Sequence, residues 1–335
     1  MSKLKTVDIC QTDMTLRETE QAIKLIKDTF EIKLAQALNL ERISAPLFVR
    51  AESGLNDDLN GVERPVSFDV KFDGSTVVIV HSLAKWKRMA LKAYGFTENE
   101  GLYTDMNAIR RDEVLDSLHS IYVDQWDWER VITPRERTLT YLKETVKRIS
   151  SCICDTLDEI KEAFPQLQTE LKEEVFFISS QELEDRYPEL SPKDRERACA
   201  REHGTIFITE IGDKLRSGIP HDGRAPDYDD WTLNGDLLYW NEIIEDVFEI
   251  SSMGIRVDAA ALKSQLEKSD TTDRMKYPYH QKIANGQLPL TIGGGIGQSR
   301  LCMLMLGKAH IGEVQVSIWP EDMLRECKES GMIIL

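Results

Sequence analysis

The stretch TIGGGIGQSRL, residues 291–301, restricts the possible folds more than any other part of this 335-residue chain. Four glycines separate an apolar entry from a helical pattern that carries Arg300. A P-loop ends in Lys followed by Ser or Thr, and this stretch has neither pair. A dinucleotide-binding turn opens a βαβ unit, and the order of the chain is wrong for one because the stretch lies near the C-terminus. The glycines therefore predict a strand that a flat ligand can approach closely, followed by a helix.

Periodic apolar residues predict helices and a hairpin elsewhere in the chain. Helices are predicted over 15–38, which a capping box of Thr15 and Glu18 would start, over 83–94 and over 138–164. Residues 66–82 alternate between apolar and polar side chains on either side of Asp73-Gly74, a pattern that predicts a hairpin.

Further strands complete the predicted fold. They are expected over 42–50, 119–130, 175–179, 205–211, 236–240, 247–251 and 291–294, with another helix that Ser191-Pro192 would start. Pro46 makes the first of them an edge or interface strand. Strands paired as hairpins, with helices grouped around them, predict the α+β class, built on a mostly antiparallel sheet. We expect one domain over 1–335, with 1–14 as a flexible N-terminal extension.

Charge and cysteine usage limit the partners and the compartment. The net charge of −16 disfavours an extended nucleic-acid surface. No apolar run of 18 residues predicts a membrane span, and residues 1–13 lack a signal-peptide core. Of the six cysteines only Cys152 and Cys154 are close together, so buried unpaired thiols are expected rather than metal ligands. This usage is typical of the reducing cytosol.

Four stretches, 101–113, 123–130, 224–231 and 248–258, are dense in Asp, Arg, Trp and Gln. Solvated surfaces use Lys and Glu instead, so these stretches indicate fixed polar sites. Alternation along 119–130 also places Gln125 and Asp127 on one face.

Three blocks resemble the motifs of class II aminoacyl-tRNA synthetases. RISAPLFV resembles motif 1, whose proline lies at a dimer interface, AIRRDE resembles motif 2, and GGGIGQSR resembles motif 3. Longer blocks, including HSLAKWKR, HSIYVDQWDWER, RAPDYDDW, FEISSMGIRVD and HIGEVQ, resemble the ammonia-dependent, AMP-forming aspartate–ammonia ligase family in order. This resemblance extends from about residue 15 to residue 319, with a tight DDWTLNGD where some members carry an insertion.

The resemblance implies an activity and its partners. ATP would activate the side-chain carboxylate of aspartate as β-aspartyl adenylate, and ammonia would then displace AMP to give asparagine. Mg²⁺ would enter with ATP, and the protein would be a homodimer that uses neither nucleic acid nor membrane.

Site residues follow from the same resemblance. Arg110 would bridge the α-phosphate and the reacting carboxylate, with Arg111 as the alternative, and Arg300 would bind the nucleotide and its distal phosphates. Asp236 and Glu249 would be the Mg²⁺ ligands, unless they form salt bridges to arginine. The remaining nucleotide contacts would be Ser251, Arg256, Gly294 and Gly295.

The amino-acid substrate and ammonia take a second set of residues. The ammonium group of aspartate would be bound by Asp127, Gln125 and Asp229, with Asp227 and Asp230 competing for the last position, and its α-carboxylate by Lys87 and Ser82. Asp57, or its neighbour Asp58, would bind or deprotonate ammonium. His81 and His119 are expected to be structural, and the tryptophans of DQWDW to lie in the core.

Other functions stay open at this point. A tRNA synthetase for aspartate or asparagine is disfavoured because 335 residues leave no room for an anticodon-binding domain. A glutamine-dependent synthetase would expose an N-terminal cysteine, and residue 2 is Ser2. An inactive sensor of aspartate or ATP would lack the arginines or the carboxylate pair, all of which are present.

Overall fold

An eight-stranded sheet organises the structure, a computed structural model that describes residues 14–57 and 63–335. The strands of these residues are β1 (Leu40–Arg42), β2 (Phe48–Arg50), β3 (Ser67–Asp69), β4 (Thr76–Ile79), β5 (Gly101–Ile109), β6 (Tyr122–Val131), β7 (Phe176–Ser179), β8 (Thr205–Thr209), β9 (Asp229–Asn241), β10 (Asp246–Arg256) and β11 (Thr291–Gly297). The large sheet has the order β1-β5-β6-β11-β10-β9-β8-β7, and β2-β4-β3 form a small separate sheet. Within the large sheet the β1–β5 and β7–β8 pairs are parallel and the others are antiparallel.

Helices surround the large sheet. They are α1 (Leu16–Leu38), α2 (Ala84–Tyr94), α3 (Leu139–Ala163), α4 (Ser180–Arg186), α5 (Pro192–His203), α6 (Ala259–Lys268), α7 (Pro278–Ala284), α8 (Gln298–Met305) and α9 (Glu321–Glu329). The apolar faces of α1, α3 and α8 bury one side of the sheet in the main core. Trp126 and Trp128 of β6 point into this core, and the Trp126 ring lies 4.9 Å from that of Phe30. Because side chains alternate along a strand, Gln125 and Asp127 face the other side.

The α+β class and the mostly antiparallel sheet are confirmed. The capping box at the start of α1 is present, since Glu18 donates its amide hydrogen to the Thr15 hydroxyl and accepts one from the Thr15 amide. Ser191 likewise caps α5, which begins at Pro192. The predicted single-domain extent remains a prediction, and its N-terminal extension lies almost wholly outside the described residues.

Several predicted elements differ from the structure: β9 and β10 are longer than the expected 236–240 and 247–251, and other elements differ in detail or were missed. The strand expected over 42–50 is two edge strands: β1 ends at Arg42, and β2 begins after Pro46 in the small sheet. The predicted hairpin exists, but its turn is wider than Asp73-Gly74, because the Val70 amide bonds to the Ser75 carbonyl at 2.9 Å. The interior strand β5 was interpreted only as a polar site, since Asp105 and Asn107 interrupt its apolar pattern.

The free cysteines agree with the expected buried thiols. Within the described residues Cys152, Cys199, Cys302 and Cys327 are buried and Cys154 is half-buried, and none forms a disulfide. Cys10 lies outside these residues. In the same part of the chain, no helix combines the length and the apolarity needed to cross a membrane.

Candidate active site

A cleft of about 600 Å³ opens on the face of the sheet that α1 and α3 leave free. It lies over β6, β11 and β10, and α2 and the segments after β5 and before β9 wall it. Twelve of the predicted site residues line it: Asp57, Ser82, Lys87, Arg110, Gln125, Asp127, Asp229, Glu249, Arg256, Gly294, Gly295 and Arg300. The other two, Ser251 and Asp236, do not line it. The fold therefore brings nearly all the predicted site residues to one place.

Gln125 and Asp127 lie directly above the glycine strand. A Cβ atom added to Gly295 would stand 2.5 Å from Gln125 Oε1 and 2.7 Å from Asp127 Oδ1. The missing side chain at Gly295 thus makes room for the protein's own acceptors. Gly295 is therefore grouped with the residues expected to bind aspartate, and a direct contact of the glycines with the nucleotide remains a prediction.

Lys87 projects from α2 into this acceptor pair. Its Nζ donates to the Gly294 carbonyl at 2.9 Å and lies 3.2 Å from Asp127 Oδ2. Burial lowers the pKa of Lys87, although Asp127 opposes this shift. The Lys87 ammonium therefore holds α2, β6 and β11 together as well as facing the cleft.

A buried charge network reaches the cleft through Arg256 and Asp229, which line it. Arg256 Nη2 lies 2.8 Å from Glu129 Oε2, and its Nη1 contacts Asp229. Burial alone would raise the pKa of Glu129, but Arg256 outweighs it and the pKa is lowered. Thr291 donates to the same carboxylate at 2.7 Å. Arg256 and Asp229, assigned separately from the sequence, thus form one ionic unit.

Glu129 was missed by the sequence prediction. It lies two residues beyond Asp127 on β6, on the face that Gln125 and Asp127 share. Extending that alternation by one step would have placed it at the site.

The three aspartates that compete for one substrate-binding position differ in their contacts. Asp229 lines the cleft, whereas Asp227 and Asp230 do not. Asp227 is fully buried and lies 2.9 Å from each of Lys85, Arg274 and His280. Asp230 contacts Arg137 and accepts hydrogen bonds from Thr232. The arrangement favours the expected Asp229, although its contact with a substrate stays a prediction.

The two arginines expected from the resemblance to motifs 2 and 3 both line the cleft. Arg110 follows β5, is about a quarter exposed, and lies 4.0 Å from Glu113, the kind of ion pair that was its alternative interpretation. Arg300 on α8 donates to the backbone carbonyl of Glu249 at 2.9 Å. Arg111 also lines the cleft, so position alone does not separate it from Arg110.

The carboxylates predicted to hold metal lie on neighbouring strands. Asp236 accepts a hydrogen bond from Arg224 at 2.6 Å, which is the salt bridge left open as its alternative. Burial, with Glu249 beside it, raises the pKa of Asp236 to about 6 against the effect of Arg224. Burial would also raise the pKa of Glu249, but Arg300, Lys193 and Arg224 together lower it.

A register shift in β10 explains why Ser252, not Ser251, faces the cleft. The pairing with β9 shifts between Glu249 and Ser251, so that Ser252 lies opposite Asp236. Ser251 instead donates to the Gly295 carbonyl at 2.9 Å. Ser252 and Arg224 both line the cleft and contact each other. Ser251 was expected among the nucleotide contacts from the resemblance, and that contact remains a prediction.

Asp57 enters the cleft from the segment that follows β2. It is buried, and its backbone carbonyl lies 3.1 Å from His81 Nδ1. Lys85 Nζ donates to the carbonyl of Asn56 at 3.1 Å and so fixes the same segment. The alternative residue, Asp58, lies outside the described residues.

Comparisons with known proteins identify the family of the chain. Residues 17–331 match the model of the aspartate–ammonia ligase family. The chain is 59% identical over 324 residues to an aspartate–ammonia ligase of Limosilactobacillus reuteri, with 96% of each chain covered. It is 58% identical over 322 residues to that of Bacillus cereus, covering 96% of this chain and 98% of the relative.

Solved structures of class II synthetases share the fold. The asparaginyl-tRNA synthetase of Pyrococcus horikoshii complexed with asparaginyl-adenylate gives a TM-score of 0.64 at 16% identity, covering 90% of this chain and 70% of that one. The aspartyl-tRNA synthetase of Entamoeba histolytica gives 0.60 at 16% identity, covering 89% and 58%. At such identities these likenesses show the fold alone, whereas the full-length sequence matches show that the chain belongs to the aspartate–ammonia ligase family.

Proposed function

We propose that this protein makes L-asparagine from L-aspartate and ammonia, using ATP and forming β-aspartyl-AMP as the intermediate. One observation carries the proposal: a single cleft brings together the arginines of motifs 2 and 3 and the acceptors Gln125 and Asp127. The chain's identity of 59% to an aspartate–ammonia ligase over nearly its full length supports the same reaction.

Activation requires two anions to meet. A carboxylate is a poor acyl donor, and joining it to AMP as a mixed anhydride supplies a good leaving group. Arg110 would bind the α-phosphate and the reacting carboxylate and offset the charge that develops at phosphorus, while Arg300 binds the distal phosphates. Arg300 is already held in place by the Glu249 carbonyl.

Asp236 and Glu249 suit a Mg²⁺ that arrives with ATP. Burial, together with the negative charge of Glu249, raises the pKa of Asp236, and a cation bound beside the two carboxylates would favour their ionised forms. The described residues contain no cluster of three or more side chains able to hold a metal alone. Mg²⁺ commonly takes one or two carboxylates and completes its shell with phosphate oxygens and water. Once bound, it would neutralise phosphate charge.

Aspartate would lie between Lys87, Ser82 and the acceptors on β6. Gln125 and Asp127 face the same way and could accept from the substrate ammonium, with Asp229 beside them. Lys87, already paired with Asp127, would turn a remaining N–H toward the α-carboxylate. The second step needs ammonia near the acyl carbon, and the buried carboxylate of Asp57 would attract ammonium there.

A homodimer is part of the proposal. Leu47, Phe48, Phe68 and Phe72 are exposed apolar residues on the small sheet, in its turn and just before β2, and the Phe48 and Phe68 rings contact each other. Below we call these four residues the small-sheet patch. Contiguous exposed apolar surface is typical of protein interfaces.

The test of the activity is product analysis. With ATP, Mg²⁺, aspartate and ammonium, the protein should release asparagine, AMP and pyrophosphate. Release of ADP, or efficient use of glutamine in place of ammonium, would contradict the proposal. Transfer of aspartate or asparagine to tRNA would instead identify a synthetase.

Arg110→Ala tests the site itself. We expect aspartate-dependent exchange of pyrophosphate into ATP to fall by about 100-fold or more, because a charge-stabilising donor is lost. Unfolding free energy should change by less than about 1 kcal/mol, since the side chain is partly exposed and its pair with Glu113 is long. Arg111→Ala is the matched control: full exchange in Arg110→Ala with loss in Arg111→Ala would reverse the assignment.

A further inference from the structure

His81 lines the cleft beside Asp57, in the segment between β4 and α2. It is 1% exposed, and its Nδ1 lies 3.1 Å from the Asp57 backbone carbonyl. A carbonyl oxygen can only accept, so Nδ1 carries the proton of the neutral ring and Nε2 keeps the lone pair. Within the described residues, that buried Nε2 has no hydrogen-bond partner.

The ring is fixed relative to Asp57 by backbone contacts. The His81 amide donates to Asn56 Oδ1 at 2.8 Å, and Asn56 Nδ2 donates to the Ile79 carbonyl at 3.4 Å. Buried polar atoms are usually satisfied, so a held imidazole with an unused lone pair at a cleft points to a ligand that donates a proton. His310 shows the contrast: its Nε2 also lacks a partner among the described residues, but its ring packs against Trp319 and does not line the cleft.

The proposed reaction has a proton balance that one carboxylate does not meet. Ammonium, the main form at neutral pH, must lose one proton before its nitrogen has a lone pair. That nitrogen then attacks the acyl carbon of β-aspartyl-AMP, and the bond from this carbon to the phosphate oxygen breaks, so AMP leaves with the electron pair. The nitrogen must then lose a second proton to become the amide. One ammonium thus releases two protons.

We propose that His81 is a catalytic base of the second half-reaction: Nε2 takes the first proton from ammonium held by Asp57, and the Asp57 carboxylate takes the second. An imidazole is ordinarily a better proton acceptor than a carboxylate at neutral pH, which suits it to the less acidic donor. The inference rests on the proposed function and adds to it the group that generates free ammonia. It also replaces the structural role expected of His81 from the sequence.

His81→Asn tests the inference. The Asn amide nitrogen can occupy the Nδ1 position and keep the bond to the Asp57 carbonyl, while the base at Nε2 is removed. Asparagine formation from ammonium should fall by about 100-fold or more. Aspartate-dependent exchange of pyrophosphate into ATP, which precedes ammonia, should stay close to that of the unmodified protein.

Hydroxylamine separates base catalysis from a structural effect. It is largely uncharged at neutral pH and needs to lose only one proton, so aspartyl hydroxamate formation by His81→Asn should fall by less than about tenfold. An equal loss in exchange, hydroxamate and asparagine formation, or no loss in any of them, overturns the proposal. If the unmodified protein forms no asparagine at all, the proposed function fails instead.

Two further variants complete the experiment. If His81→Asn proves unstable, His81→Gln places a group that is not a base at the Nε2 position, and the same split is expected. His119→Asn is the matched control, because His119 also lines the cleft but is about 38% exposed and bonded to Asp116. Its ratio of hydroxamate to asparagine formation should equal that of the unmodified protein, and a shift as large as in His81→Asn would contradict the assignment.

Discussion

At the scale of single residues, Asp227 shows how several partners hold one buried carboxylate. Its buried carboxylate contacts Lys85, Arg274 and His280, which join α2, the segment before α7 and α7 itself. Burial alone would raise the pKa of Asp227, but the charge of Lys85, the hydrogen bond with His280 and the charge of Arg274 outweigh it and hold the pKa far below its ordinary value. A lowered folded-state pKa means that the stabilisation is present above the unfolded-state pKa and is lost as pH falls.

Asp227→Asn should therefore destabilise the protein by about 3–5 kcal/mol at pH 7, because it leaves buried cations uncompensated. The difference in unfolding free energy between the variant and the unmodified protein should begin to decrease near about pH 4. By about pH 3 it should be smaller by about 1 kcal/mol, because the Asp227 carboxyl of the unfolded chain takes up a proton. Urea unfolding at a series of pH values measures both effects.

The control for this prediction is Asp155→Asn, which removes an exposed carboxylate on α3. It should change the unfolding free energy by less than about 0.5 kcal/mol at pH 7. A pH-independent difference between Asp227→Asn and the unmodified protein would show that the carboxylate is not ionised in the fold.

The position of a single side chain could be predicted where regular alternation along its strand decides which face it lies on. Gln125 and Asp127 follow from alternation along one regular strand, and the structure confirms that they share a face. Ser252 lines the cleft and Ser251 does not, because the register of β10 shifts between Glu249 and Ser251, and this shift depends on the pairing with β9. The residues alone did not distinguish Asp229 from Asp227 and Asp230. Only folding brings Lys85 to Asp227 and Arg137 to Asp230.

At the scale of elements, β11 shows why a glycine strand is needed here. Its two faces have different neighbours: Gly295 lies under the side-chain ends of Gln125 and Asp127, whereas a Cβ on Gly294 would stand 2.6 Å from Met253 Cβ and 2.8 Å from the Ser252 carbonyl. The first face belongs to the cleft, and the second packs against Met253 of β10 in the main core.

Gly295→Ala should consequently affect substrate binding, whereas Gly294→Ala should affect stability. In Gly295→Ala the two acceptors must move, so the KM for aspartate should rise by about tenfold or more while stability changes by less than about 1 kcal/mol. In Gly294→Ala the strand itself must move, which should cost about 1–3 kcal/mol of stability. Steady-state kinetics and chemical denaturation of the two variants distinguish these effects, and identical behaviour of the two would refute the division into faces.

Elements were predicted well where the apolar period is long and unbroken. The helices α1 and α3 are 23 and 25 residues long, and an apolar helical period runs through each of them. Their predicted bounds agree with Leu16–Leu38 and Leu139–Ala163 to within one residue. Strand β5 was missed because its position between β1 and β6, rather than its own composition, makes it a strand. Short elements depend on their neighbours in this way.

At the scale of the whole molecule, the sheet assigns one face to the core and the other to chemistry. Helices α1, α3 and α8 supply the apolar packing, so the opposite face of β6, β11 and β10 can carry buried charges. Sequence patterns could predict this division because it rests on alternation within each strand. They could not predict which charges pair, because those contacts join segments far apart in the chain.

The small-sheet patch gives the prediction for assembly. Its exposed fractions range from 43% for Phe68 to 79% for Phe72, and the Phe48 and Phe68 rings lie 5.3 Å apart. If this patch is the centre of a two-fold interface, Phe68→Asp introduces a carboxylate into an apolar contact in both subunits at once. Light scattering should then give about twice 38.3 kDa for the unmodified protein and 38.3 kDa for the variant.

Ile333→Asp is the control for assembly, because Ile333 is 55% exposed near the C-terminus, well away in sequence from the small sheet. It should keep the mass of the unmodified protein. A Phe68→Asp variant that stays dimeric would move the interface elsewhere, and an unmodified protein that is monomeric would remove the homodimer from the proposal. Because the patch belongs to β2–β4, and Asp57 lies on the segment between β2 and β3, loss of the dimer should also lower asparagine formation.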